Sequence, residues 1–210
     1  MTVVATNNND GYIFVVGGPC GCGKSSISEG LAEYLGIPFI EGDDVHPAEN
    51  VRKMSEGIPL TDDDRWGWLT KIADISFEKL MLPSGEQTTH KTTKYAIVGC
   101  SALKKKYRDH IAEEVSKLSH GVNIKVVYIF INISIEDSRA RVAARKNHYM
   151  KPNMVDSQFK ILEAPAGEEL LIDGDRVNQK GTAIVLDPSG KDKQVMMDEV
   201  IGGLKRVDMI

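Results

Sequence analysis

The sequence predicts an α/β domain, a three-layer sandwich in which a central parallel sheet of about five strands carries helices on both faces and a small lid. Three observations predict it. Apolar runs without polar alternation, at residues 12–16, 95–100 and 125–131, have the composition of strands buried on both faces. They alternate with stretches whose apolar residues recur at helical spacing, the pattern of a parallel sheet wrapped by helices. Between the first run and the first such stretch lies Gly18-Pro19-Cys20-Gly21-Cys22-Gly23-Lys24-Ser25, a complete G-x-x-x-x-G-K-[ST] phosphate-binding loop, or P-loop.

Residues 1–10 are polar and rich in asparagine and read as a disordered leader; 11–210 form one domain, because no repeat, linker or low-complexity stretch divides them. The strand 12–16 feeds the loop, and a helix follows over 26–35. A second short strand, 37–40, ends in Glu41-Gly42-Asp43-Asp44. Two helices come next, 47–56 and 62–80, separated where Gly57-Ile58-Pro59-Leu60 breaks the period; Asp62 or a neighbour caps the second. Residues 82–94 are polar and threonine-rich and read as a surface loop. The third strand, 95–100, ends at Ser101, and 102–118 has the period of a charged amphipathic helix. After the strand 125–131 come helices over 134–146 and 155–162. An acidic, irregular segment at 167–181 leads to a last strand, 183–186, and a last helix, 192–205.

The hydrophobic share of 41% and charged share of 27% are those of a soluble globular chain. A net charge of −4 argues against a nucleic-acid-coating surface, which needs a basic excess. No apolar run is long enough to span a bilayer and the N-terminus is not signal-like, so no membrane partner is expected and the cytoplasm is the default location. Three cysteines, two of them in the loop, make neither a disulfide framework nor a zinc site. Because a helix N-terminus lowers a thiol pKa, Cys22 is a side candidate for an oxidant-sensitive thiol.

A strand, a glycine-rich turn and a helix start aim several backbone N–H groups at one point, where the helix dipole also favours an anion; residues Gly18 to Ser26 therefore read as a nucleoside triphosphate site. Lys24 reaches the β/γ-phosphates and the Ser25 hydroxyl ligates Mg2+. Phosphoryl transfer also needs a carboxylate for the acceptor proton and cations over the developing charge. Glu41 and Asp43, at alternate positions after the second strand, suit a water-mediated Mg2+ ligand and a base on an acceptor hydroxyl; the alternative is a helix cap and a solvated carboxylate. Ligands of parallel sheets bind beyond the carboxyl ends of the strands, and three polar segments fall at such ends: 18–25, 41–44 and 100–101. Arg141 and Arg145, spaced i, i+4, are either phosphate-covering arginines or a wet helix face. Lys104-Lys105-Lys106 alone reads as solvated surface. His46 abuts the acidic pair, and of Trp66 and Trp68, which face different ways, at least one belongs to the core.

Taken together these segments resemble the gluconokinase family, small ATP-dependent kinases of D-gluconate related in fold to shikimate kinase and adenylate kinase. Gly42-Asp43-Asp44-Val45-His46-Pro47, Asn50, Lys53-Met54, Gly57-Ile58-Pro59-Leu60, Asp62-Asp63-Asp64-Arg65 and Trp68-Leu69 are similar to its G-D-x-x-H-P…N…K-M…G-x-P-L-x-D-x-D-R…W-L stretch. Cys100-Ser101-Ala102-Leu103-Lys104 with Tyr107-Arg108-Asp109 resembles its C-S-A-L-K-x-x-Y-R-D block. Arg141, Arg145, His148-Tyr149-Met150, Ser157-Gln158-Phe159, Leu162-Glu163 and Pro165 resemble its lid region. The match runs from Tyr12 to Pro165.

The resemblance implies ATP and Mg2+ as cofactors and D-gluconate as acceptor, phosphorylated at the 6-hydroxyl in the cytoplasm; it also allows a homodimer. It implies that Lys104, Tyr107 and Arg108 are acceptor-site groups, that Arg65 meets the gluconate carboxylate, and that His46 and His148 contact the substrate. Arg141 and Arg145 become lid residues, the lid covering about 146–153. The runner-up reading is another small-molecule kinase of the same fold, acting on shikimate or a nucleoside monophosphate; a non-catalytic nucleotide switch is third. Pro19 and Cys20 depart from the usual Val-Ser or Ala-Ser, Glu41 stands where aspartate is frequent, and the segment beyond Pro165 is longer than the family ending.

Overall fold

A computed structural model describes residues 10–82, 93–144 and 153–210. The leader and the 82–94 loop expected from the sequence fall largely outside these residues, and the lid at 146–153 lies outside apart from Asn153. Asp10 is paired: its N–H donates to the Asn123 carbonyl and its carboxylate accepts from the Asn123 N–H.

The strand β1 (Gly11–Gly17) is buried at every residue, as its unbroken apolar run demands. The helix α1 (Lys24–Leu35) follows the phosphate loop, then β2 (Phe39–Glu41), α2 (Ala48–Glu56), α3 (Asp63–Met81), β3 (Lys94–Gly99), α4 (Lys105–Leu118) and β4 (Ile124–Ile131). The chain continues through α5 (Ile135–Ala144), α6 (Asn153–Lys160), β5 (Ile172–Asp173), β6 (Arg176–Val177), β7 (Ala183–Leu186) and α7 (Lys193–Arg206). Five strands form one parallel sheet in the order β2-β3-β1-β4-β7.

Alternate residues of β1 enter two cores. Tyr12, Phe14 and Val16 pack with Ile27 and Leu31 of α1 and Val200 and Leu204 of α7. Ile13 and Val15 pack on the other face with Leu69 and Ile72 of α3 and Ile111 and Val115 of α4. Helices therefore cover both faces, as expected. Among the described residues no helix is long and apolar enough to cross a membrane.

Several boundaries differ from the sequence reading for local reasons. The first helix begins at Lys24 rather than Ser26, inside the phosphate motif. The second strand is Phe39–Glu41 rather than 37–40; Pro38 has no N–H to donate, so the strand starts after it. Residues 101–104 form a loop before α4 instead of its first turn. The 167–181 segment is less irregular than expected, since it holds a 3-10 turn, Gly167–Glu169, and the antiparallel pair β5–β6.

Register positions the site. Val16 pairs with Gly99, Glu41 pairs with Gly99, and Gly17 pairs with Phe130, so four strands end at one edge of the sheet. At that edge the chain after β2 comes so close to β3 that a Cβ on Gly42 would lie 2.2 Å from the Gly99 carbonyl oxygen. Only glycine lets the acidic turn reach this position.

Candidate active site

The phosphate loop joins β1 to α1. Its N-cap residue, Gly23, has φ 106°, and a Cβ placed there would meet nothing within 4 Å. Gly23 has no side chain to cap the first turn of α1, so the turn's amides are left for an anion. Lys24 folds back, donating from Nζ to the carbonyls of Gly18 and Pro19, both at 3.1 Å. The outer limb of the loop is held by two helices: the Cys20 N–H donates to Gln158 Oε1 (2.7 Å) and Ser138 Oγ donates to the Cys20 carbonyl (2.7 Å). Sequence reasoning gave neither Gln158 nor Ser138 this task, because both contacts span more than a hundred residues.

Cys20 and Cys22 are buried, and burial pushes both thiols up while the Lys24 charge opposes it. The expectation that Cys22 is an oxidant-sensitive thiol is thereby corrected: burial outweighs the helix terminus. Cys100 is fully buried and pushed up to about 12 by the same cause.

The structure brings the two expected metal residues together, with Ser25 Oγ donating to Glu41 Oε2 at 2.9 Å. Among the described residues no group of three or more His, Cys, Asp or Glu side chains could hold a metal ion. A hydroxyl and one carboxylate beside a phosphate cradle instead fit Mg2+, which keeps waters and takes phosphate oxygens.

Asp43 lies in a 3-10 turn, Gly42–Val45, and its charge acts on Lys24, His46 and Cys100. Trp68 is the core tryptophan, 2% exposed; its Nε1 donates to the Gly42 carbonyl (2.8 Å) and its ring stacks on His46 at 4.0 Å between centroids. Trp66 is half-buried and meets the Tyr107 ring edge-on. Burial lowers the His46 pKa to about 4, with Asp43 opposing the drop and Arg65 adding to it. His46 is therefore neutral at pH 7. Between pH 6.5 and about 4 the unfolded chain binds a proton that the folded chain does not, so stability falls as pH falls across this window. Denaturant unfolding from pH 7 to 4.5 is expected to show this loss in wild-type protein and a shallower slope in His46→Gln; equal slopes would show that His46 is exposed enough to titrate normally.

The acceptor-side candidates cluster across α3 and α4. Lys104 Nζ donates to Asp62 Oδ1 (2.7 Å), and Lys106 Nζ and the Tyr107 hydroxyl donate to the same carboxylate. These bonds, from Lys104 first, hold Asp62 well below the usual carboxylate range. Asp62 is free for this because Thr61 and Asp64 cap α3 instead: the Thr61 N–H donates to Asp64 Oδ2 (2.9 Å) and the Asp64 N–H to Thr61 Oγ1 (3.3 Å). Burial, then Asp62, raises the Tyr107 pKa and keeps its phenol a donor. Arg65 is 6% exposed, with its guanidinium carbon 5.7 Å from the Tyr107 ring centroid. Its Nη2 donates to the Leu60 carbonyl (3.3 Å), but its buried Nε has no partner among the described residues.

Arg108 is 2% exposed and donates from Nε and Nη2 to Glu169 (3.0 and 3.1 Å) and from Nη1 to the carbonyls of Ala102 (3.0 Å) and Glu163 (2.9 Å). These bonds engage its guanidinium inside the protein, which argues against the direct acceptor contact the resemblance implied. Arg141 does reach the phosphate loop, with Nη1 donating to the Cys22 carbonyl at 3.4 Å. Arg145 and His148 lie outside the described residues.

A cleft of about 160 Å3, lined by Cys22, Ser26, Arg141, Pro188 and Lys193, opens beside the loop. Sequence reasoning missed Pro188 and Lys193. Their position just after the last strand, at the sheet edge where ligands bind, was the available signal.

No protein-family model matches the chain. The chain is 43% identical over 164 residues to "Probable gluconokinase" of Schizosaccharomyces pombe, covering 78% of this chain and 79% of that protein. It is 35% identical over 176 residues to "Thermoresistant gluconokinase" of Escherichia coli, covering 82% and 90%. Among solved structures, a gluconokinase from Sinorhizobium meliloti superposes with a TM-score of 0.69 at 35% identity, over 94% of this chain and 93% of that one. Relatives this similar, aligned over most of both chains and sharing the parallel sheet with its phosphate loop, show that this chain belongs to the gluconokinase family.

Proposed function

We propose that this protein transfers the γ-phosphoryl group of ATP to the 6-hydroxyl of D-gluconate, giving 6-phospho-D-gluconate and ADP. The observation that carries the acceptor assignment is Arg65, a buried guanidinium beside Tyr107 whose Nε has no partner among the described residues. A buried donor without a partner costs stability unless a ligand completes it, and an anionic acceptor does so.

The residues divide the work by position. The first-turn amides of α1 and Lys24 bind the β- and γ-phosphates; Lys24 first leaves the carbonyls of Gly18 and Pro19. Ser25 and Glu41 would hold Mg2+, Glu41 through water, and the ion when bound neutralises phosphate charge. Asp43 accepts the proton of the 6-hydroxyl as its oxygen attacks the γ-phosphorus and the bond to the bridging oxygen of ADP breaks. Neutral His46 exchanges hydrogen bonds with sugar hydroxyls. Lys104 and Tyr107 line the acceptor side, and Arg65 meets the carboxylate. Arg141 covers the phosphates, and the cleft at Pro188 and Lys193 takes the nucleoside. A net charge of −4 supports small-molecule substrates rather than nucleic acid, and a cytoplasmic setting belongs to the same reading.

The test is ADP release from Mg-ATP by the purified protein with D-gluconate, D-glucose, shikimate, AMP or no acceptor. Turnover with gluconate and not glucose supports the carboxylate assignment. Turnover with shikimate or AMP instead keeps the kinase and removes the acceptor-site roles, and ATP binding without any turnover removes the kinase.

A further inference from the structure

The four residues that lead from the sheet edge into α4 have every carbonyl occupied. The Gly18 N–H donates to the Ser101 carbonyl (3.0 Å), Arg108 Nη1 to that of Ala102 (3.0 Å), the Glu163 N–H to that of Leu103 (2.8 Å), and the Tyr107 N–H to that of Lys104 (3.0 Å). Ala102 sits at φ 42°, in the left-handed region that a side chain disfavours. Lys104, at the N-cap of α4, makes no side-chain cap; Glu163 supplies it from outside, its Oε2 accepting from the Lys105 N–H at 2.8 Å. The Glu163 carbonyl in turn accepts from Arg108, whose Nε and Nη2 also donate to Glu169.

We propose that Arg108 is a positioning residue for the acceptor: it locks Ala102 in its unfavourable conformation and so fixes where α4 starts and where Lys104 and Tyr107 point. The reading rests on the assignment of those two side chains to the acceptor site. The geometry favours it over a purely stabilising ion pair, because the guanidinium ties the strained residue to the Glu163 strut at one nitrogen, two residues before Lys104. A charged, buried hydrogen bond to a strained carbonyl holds a conformation that the backbone alone does not prefer. The outer limb of the phosphate loop has its own holds, through Gln158 and Ser138 on Cys20, while its first residue, Gly18, meets this segment at Ser101 rather than at Ala102.

Steady-state kinetics of Arg108→Lys test this, with gluconate and ATP varied in turn. The expected result is a KM for gluconate raised about tenfold, with the KM for ATP within about twofold of wild type. Glu169→Gln keeps an acceptor oxygen for the guanidinium and is expected to show a smaller rise in the same constant. Adding Ala102→Gly to Arg108→Lys relieves the strained φ; the double variant is expected to regain melting temperature but not gluconate KM. Recovery of both together, equal rises in the two KM values, or an unchanged gluconate KM would overturn the inference. Should Arg108→Lys fail to fold, the double variant and Glu169→Gln carry the same comparison. A wild-type protein inactive on gluconate would instead remove the acceptor assignment on which the inference stands.

Discussion

Asp43→Ala is expected to lower kcat for gluconate phosphorylation by about a thousandfold while ATP affinity stays within about twofold. Asp43 lies in the turn just past β2, where the close approach of Gly42 to Gly99 fixes it at the sheet edge. Its charge is felt by Lys24 on one side and His46 on the other, which places it between the phosphate cradle and the acceptor side. Alanine removes the proton acceptor but leaves the loop amides, Lys24 and the Ser25–Glu41 pair in place. Turnover should be measured at saturating substrates and ATP binding by calorimetry. Loss of both in parallel would make Asp43 a structural residue of the turn.

Lys24→Met should have the second large effect, a fall of about a thousandfold in kcat/KM for ATP. Among the described residues the side chain bonds to carbonyls of its own loop, so its removal leaves the core contacts of α1 intact. Melting temperature is therefore expected to change little. Arginine should not rescue, since its planar fork is bulkier than an ammonium folded against Gly18 and Pro19. A large drop in melting temperature with kcat/KM preserved would reassign Lys24 to loop architecture.

The sheet was legible because strands buried on both faces leave an unbroken apolar run: Ile13 and Val15 had to be as apolar as Phe14 and Val16. The phosphate loop was legible because its chemistry demands particular residues at fixed spacing. The Ser25–Glu41 contact followed from placing two polar segments at strand ends, and the structure brings them to 2.9 Å. The burial of Arg108 was not legible, for the opposite reason. Its partner Glu169 lies 61 residues away, and no local pattern tells a buried arginine from one that meets a ligand. Asp62 or a neighbour was read as the cap, and the neighbours Thr61 and Asp64 make the box, which releases Asp62 to Lys104. The β5–β6 pair carried a usable signal, the two-residue turn Gly174-Asp175 between Asp173 and Arg176, which the acidic character of the segment obscured. The role assigned to His148 rests on the resemblance, and that of Arg145 on the resemblance and its i, i+4 spacing from Arg141.

The position of β1 at the centre of the sheet has a consequence for synthesis. Both of its neighbours, β3 and β4, lie far downstream, while the next strand in the chain, β2, pairs only with β3. A ribosome must therefore make residues 18–93 before β1 can find its first partner, on the order of ten seconds at typical elongation rates. Throughout that interval the backbone of β1, paired on both sides in the finished protein, has neither of its strand partners. The strand that launches the nucleotide loop is thus also an unpaired strand that a chaperone would shield while the polypeptide is growing.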